Sequence, residues 1–206
     1  MPIAVAGFKR GRKYDQVLEG ARTVFLRDGF EGASVDDIAH EAGVSKATLY
    51  SYFPDKRLLF LEVARQECQR QADSAVELKD LEAPPREVLT AAARRIVALA
   101  TSDFGQKIFR VCVAESDRFP ELGRAFYESG PLLVRRRLAD YLRVAGARGE
   151  LVVEDVELAA DQFAELCKAG IHAKLIFGAA VCGKQDLERT VRGAVDMFLA
   201  RYGTKA

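Results

Sequence analysis

Apolar residues near the start of the chain recur at three- and four-residue intervals. Leu18, Ala21 and Phe25, widened by Val17, Val24 and Leu26, predict a helix over 12–28. Gly29 stops it, and Phe30 is placed to pack back as an anchor before the loop at 31–33. The pattern then shortens. Ile38, Ala39 and Ala42 give one brief helix an apolar side, while Leu49 and Phe53, four apart, mark a second. Ser34 and Ser45 stand before these helices as caps, and Asp37 follows Ser34 at capping-box spacing. Gly43 supplies the permissive backbone of a tight turn, and Pro54 ends the second helix. The outer face of that helix carries Ser45, Lys46, Thr48, Tyr50 and Tyr52, with the methyl of Ala47 among them. Leu49 and Tyr50 cannot both face a core. Two short helices with such an outer face make a helix-turn-helix suited to phosphate and base-edge contacts in a major groove.

Helical spacing continues through the rest of the chain. Leu59, Phe60, Val63 and Ala64 predict a fourth helix to about residue 78, with Asp55 as its cap. Lys56 and Arg57 sit unfavourably in its first turn for the helix dipole, a misfit that phosphate contacts would explain. Glu82-Ala83-Pro84-Pro85 marks a boundary. Further helices are expected over 85–102, 104–115, 119–127, 131–147, 155–177 and 184–202, with a turn at 178–183 and a loop at 151–153. The expected architecture is all-α: a three-helix head with the helix-turn-helix, and a larger helical bundle. Residues 1–11 read as a flexible basic arm, 12–57 as the head, and 58–206 as a ligand-binding and dimerisation domain.

Composition narrows the function without naming it. At 206 residues and 49% hydrophobic the chain can bury a sizeable core, and a net charge of +1 gives no global pull toward nucleic acid. The charge is local: Lys9, Arg10, Arg12 and Lys13 cluster at the start, either as an arm reaching phosphates or a minor groove or as a solvated tail. Cys68, Cys112, Cys167 and Cys182 show no paired spacing and are expected to be reduced core residues in a cytoplasmic protein. The stub from Ile3 to Ala6 is too short for a secretory signal, and the apolar run from Leu175 to Gly183 is too short for a membrane span. Neither metal-ligand spacing nor a phosphate loop nor a cofactor motif is present, and no nucleophile with a positioned base suggests an enzyme.

Residues 12–60 resemble the DNA-binding domain of the TetR family of bacterial transcriptional regulators. The resemblance is carried by Gly29-Phe30, Ser34-Val35-x-x-Ile38-Ala39, Ala42-Gly43-Val44-Ser45-Lys46 and Thr48-Leu49-Tyr50-x-Tyr52-Phe53-Pro54-x-Lys56. It implies a homodimer with a small-molecule effector, usually a repressor released from a palindromic operator in double-stranded DNA. By position it assigns a phosphate contact to Ser34, the recognition helix to Ser45, Lys46, Ala47, Thr48, Tyr50 and Tyr52, and a phosphate-binding lysine to Lys56. The family often has Gly where Ala47 stands, and an added methyl suits a thymine. Farther on, Arg110, Ala114-Glu115, Arg118-Phe119-Pro120-Glu121-Leu122, Phe126-Tyr127-Glu128, Gly130-Pro131 and Arg148-Gly149-Glu150-Leu151 resemble the AefR-like branch of C-terminal domains.

Candidate ligand-pocket residues are Phe104, Phe109, Phe119, Phe126 and Tyr127, which either line an aromatic cavity or fill the core. Arg110, Glu115 and His172 are the polar candidates beside them. The last two helices carry apolar stripes that include Phe163, Cys167, Gly170 and Ile171 on one and Val191, Val195 and Phe198 on the other. These suit a dimer seam, with Gly170 allowing close helix approach, or else they bury within one subunit. The leading expectation is a repressor that a small, mainly apolar ligand releases. The alternatives are an activator or ligand-independent regulator and, more distantly, a helical enzyme.

Overall fold

The computed structural model describes residues 11–76 and 83–204, those at 68–76 by their backbone. Most of the expected basic arm and the last residues of the expected fourth helix lie outside these bounds. Among the described residues the chain is helical, interrupted by turns and one antiparallel bridge between Leu151 and Gly203, inside the expected loop. The helices are α1 (Arg12–Gly32), α2 (Val35–Glu41), α3 (Lys46–Tyr52), α4 (Lys56–Val76), α5 (Pro85–Thr101) and α6 (Asp103–Glu115), followed by α7 (Pro120–Ser129), α8 (Pro131–Ala147), α9 (Val156–Leu166), α10 (His172–Ile176) and α11 (Lys184–Tyr202).

They form two compact units. One takes the chain up to Glu67 together with Val111–Phe126; the other takes Cys68–Arg110 and Tyr127–Ala206. The expected boundary after residue 57 therefore lies differently: the first part of α4 and a distant stretch around the α6–α7 turn belong with the head. The reason is burial, since Leu59, Phe60, Val63 and Ala64 are all sunk in the head core.

In the first unit, α1 buries Val17, Leu18, Ala21, Val24 and Phe25. Gly20 is a site of close approach, because a Cβ there would stand 2.6 Å from the backbone nitrogen of Ala42 at the end of α2. At Gly29 the backbone turns to φ 74°, ψ 179°, so the helix is kinked where it was expected to stop and one further turn follows. That turn delivers Phe30 onto Phe25 and Phe60, with ring centroids 6.1 and 5.0 Å away. A fully buried ring of this kind contributes about 1.5–3 kcal/mol.

The second unit packs α5, α8, α9 and α11 around Leu89, Tyr141, Leu142, Phe163, Val195 and Phe198. Phe163 and Phe198 meet edge-on at 5.1 Å. Asp155 caps α9 by accepting from the amide of Leu158. The helix expected over 155–177 is broken. α9 ends at Leu166, and α10 starts at His172 after a turn in which Gly170 takes φ 75°. The apolar spacing runs on through this turn, which hid it from the pattern. Gly170 is exposed, a Cβ there would meet nothing within 4 Å in the single chain, and its left-handed backbone serves the turn. Phe163, Cys167, Ile171, Val191, Val195 and Phe198 are each at most 3% exposed within the single chain. These expected dimer residues are the unit's own core, and their stripes face each other across α9 and α11.

Candidate nucleic-acid interface

The helix-turn-helix is built from local hydrogen bonds. The hydroxyl of Ser34 accepts from the amide of Asp37 at 3.0 Å and donates to its carboxylate at 2.6 Å. Ile38 and Ala39 hold α2 in the core. At its end, Gly43 (φ 64°) donates to the carbonyl of His40 and Val44 donates to that of Ala39, both at 3.0 Å, so a left-handed glycine closes the helix. Ser45 caps α3 by accepting from the amide of Thr48 at 3.1 Å, and its hydroxyl lies 2.9 Å from that of Thr48.

These caps fix the rotation of α3. Leu49 is 1% exposed, whereas Tyr50 is 48% exposed. Ser45, Lys46, Ala47, Tyr50 and Ser51 stand in solvent, and Thr48 and Tyr52 are half-buried. Lys46 is paired with Asp36 on α2. The ring of Tyr52 lies edge-on to Tyr14 of α1 at 5.7 Å, and Tyr14 also packs on Phe53 at 5.4 Å and donates to Glu62 at 3.1 Å. Tyr52 thus belongs to the seam between α1 and α3 as much as to the outer face.

Lys56 differs from expectation. Its ammonium donates to the carbonyls of Phe30 at 2.8 Å and Ala33 at 3.0 Å, and stands 4.6 Å from the Phe30 ring centroid. The misfit of a cation at a helix start is resolved by two backbone carbonyls within the head, where phosphates had been expected. Its neighbour Arg57 is likewise engaged, with its guanidinium on both carboxylate oxygens of Asp55. Asp55 accepts from the backbone amide of Arg57 as well, at 2.8 Å.

The candidate ligand-pocket residues do not gather in one place. Glu115, Phe119 and Phe126 belong to the first unit and Phe104, Phe109, Arg110, Tyr127 and His172 to the second. Phe119 lies under the Arg57 guanidinium, 3.9 Å from its central carbon to the ring centroid. Phe104 is half-buried and Tyr127 is 49% exposed. Phe109 and His172 do meet, edge to face at 4.9 Å. Arg110 is spent on α10, donating to the carbonyls of Ile176 at 3.0 Å and Leu175 at 2.6 Å. His172 keeps its Nδ1 buried with no hydrogen-bond partner among the described residues. Burial, helped by the nearby charge of Lys168, lowers its pKa below the usual histidine value and favours the neutral ring. No described group of three or more His, Cys, Asp or Glu side chains is placed to hold a metal, and no described helix is long and apolar enough to cross a membrane.

Tyr14, Asp36 and the Asp55–Arg57 pair escaped the reading of the sequence. Tyr14 stands four residues before Leu18, in register with the α1 stripe, but nothing local tells what its ring and hydroxyl meet. Asp36 carries no local signal for its partner on the next helix. Only the fold shows what each meets.

Comparison with known proteins covers most of the chain. Residues 17–63 match the family described as bacterial regulatory proteins, tetR family, and residues 87–204 match the AefR-like transcriptional repressor C-terminal domain. The HTH-type transcriptional repressor AcnR of Corynebacterium diphtheriae is 35% identical over 77 residues, which are 37% of this chain and 40% of that one. The chain therefore matches about two-fifths of the length of such curated relatives. The likeness to solved structures is longer. A protein assigned to the TetR family of transcriptional regulators, from Mesorhizobium loti, is 31% identical with a TM-score of 0.87, covering 96% of this chain and 100% of that one. The flavonoid-responsive regulator FrrA is 35% identical with a TM-score of 0.71, covering 95% and 100%. With its helix-turn-helix head and AefR-like C-terminal domain, the chain belongs to the TetR family of DNA-binding transcriptional regulators.

Proposed function

We propose that this regulator is a repressor. It acts as a homodimer that lays one α3 from each subunit into successive major grooves of a palindromic operator, about 34 Å apart, and a small, mainly apolar effector releases it. The observation that carries the reading is the division of α3 into a buried Leu49 and an outward row of Ser45, Lys46, Ala47 and Tyr50. Ser34, Ser45 and Thr48 contact phosphates from the two helix starts. Lys46 reaches a phosphate, Tyr50 reaches base edges, and the Ala47 methyl favours a thymine. Tyr52 and Lys56 hold α3 and α4 in place from inside the head. No catalytic step belongs to this reading.

Pairing of subunits requires a surface that the chain does not itself cover. On α11 the exposed row Gly193, Met197 and Ala200 offers small and apolar groups, and Leu158 on α9 is 52% exposed. These replace the buried stripe residues as the dimer contacts. For the effector, the FrrA likeness supports a flat phenolic compound, and the unpartnered Nδ1 of His172 beside the Phe109 ring suits a hydroxyl on an aromatic ligand.

Fluorescence anisotropy on the DNA upstream of the protein's own gene, against random DNA and across a salt series, tests the whole reading. Wild type should prefer the upstream DNA, with affinity falling steeply as salt rises. Lys46→Ala and Tyr50→Ala should each weaken that binding by about tenfold or more and leave the subunit assembly unchanged. Unchanged binding in both variants would remove α3 from the interface. Addition of a flavonoid should release wild type from the DNA; persistence of the complex would exclude that effector class.

A further inference from the structure

We propose that Phe119 is a positioning residue for DNA recognition: together with Arg57 and Asp55 it clamps the start of α4, and through it α3, to the turn between α6 and α7. The proposal rests on the regulator reading above and concerns groups within the first unit only.

The geometry is that of a built contact. Arg57 is held in its plane by the Asp55 carboxylate, which receives Nε at 3.0 Å on both oxygens and Nη2 as well. A guanidinium fixed in this way presents one flat face, and the Phe119 ring covers it at 3.9 Å. Arg118 reaches the same ring, at 5.2 Å. The ring itself sits on a tight turn. The Phe119 amide donates to the Glu115 carbonyl at 2.8 Å, its own carbonyl receives the Leu122 amide at 2.9 Å, and Leu122 is buried. Glu115 and Glu121 flank the turn and add favourable charge to Arg57. The Arg57 hydrogen bonds, chiefly, hold the Asp55 carboxyl below the usual carboxylate range, and Arg118 contributes.

Position gives the clamp its role. Asp55 lies just past the end of α3, with only Phe53 and Pro54 between. α4 is therefore tied at two adjacent residues to two different places. Lys56 binds the carbonyls of Phe30 and Ala33, and Arg57 binds the distant turn. Without the ring, the Asp55–Arg57 pair would stay closed but lose its tie to the turn, and α3 would lose one constraint on its angle. Random binding would be kept and base readout degraded.

The test uses the full chain as wild type, Phe119→Ala, Phe119→Tyr and Phe119→Leu. Two quantities are read: the ratio of affinities for the upstream DNA and for random DNA, and hydrogen exchange of the amides at 45–57 in DNA-free protein. Phe119→Ala should lower the ratio roughly tenfold, mainly through the specific arm, and speed exchange across α3 and the start of α4. Phe119→Tyr keeps a π face and should restore both; Phe119→Leu keeps bulk alone and should restore neither. Equal rescue by Leu, or an alanine variant with wild-type ratio and exchange, overturns the proposal. If wild type shows no preference for the upstream DNA, that operator assignment fails, and the exchange pattern alone then decides the clamp by the same criteria. Should Phe119→Ala fail to fold, Arg57→Lys takes its place. It keeps the charge and loses the flat face, so the same losses uphold the clamp and wild-type behaviour overturns it.

Discussion

Cys167 is wholly buried in the second unit, and burial pushes its thiol up to about 12. The reactive species is the thiolate, so near neutral pH this sulfur is both hidden and protonated. Cys182 stands partly exposed just before α11. Alkylation of the native protein at pH 8, followed by peptide mass spectrometry, should therefore label Cys182 rapidly and Cys167 only after denaturation. Labelling of Cys167 at the Cys182 rate would mean that its surroundings open far more often than a packed core does. The role of each cysteine as a small core residue was legible for Cys112 and Cys167 from their helical spacing. The exposure of Cys182 was not, because it lies in a turn, where helical spacing carries no information.

The head shows which elements a sequence declares openly and which it does not. Ser34, Gly43 and Ser45 act on amides one to three residues away, so the signals for α2, the turn and α3 are complete within the stretch itself. Gly20 is the opposite case. Nothing around it in α1 calls for glycine, and its reason is Ala42, at the end of another helix. Gly20→Ala should force α1 and α2 apart, because the atoms in the way belong to backbone, and cost about 1–3 kcal/mol. In thermal unfolding that is a drop of about 2–4 °C per kcal/mol. An unchanged midpoint would show that the two helices can slide. The single helix expected over 155–177 failed for a related reason. Apolar periodicity reports which residues are buried, and it persisted through Ile171 although Gly170 had already turned the backbone.

For the whole molecule, the stripes on α9 and α11 were legible as apolar but not as to what they face. A stripe cannot say whether its complement lies in the same chain, and here it does. The proposed dimer gives the second subunit the outward row with Met197, itself 62% exposed. Met197→Asp should convert the protein to a monomer in analytical ultracentrifugation. It should also lose preference for the operator and retain weak random binding, since each head is left intact. A dimer that survives this charge would move the interface to another exposed apolar position, with Phe177 and Val181 the most exposed of these.

The pairing of Lys46 with Asp36 has a consequence for how the protein meets DNA. On the proposed reading, Lys46 arrives at the duplex already carrying an internal counterion. To touch a phosphate it would leave a carboxylate, and that carboxylate would then stand uncompensated in the negative field of the DNA, where it would draw a cation back from solution. Each ordinary lysine–phosphate contact frees about 0.9 of a cation from the duplex. A Lys46 contact of this kind would free less, and the protein would trade some strength of attraction for a lower sensitivity to the ionic conditions around it.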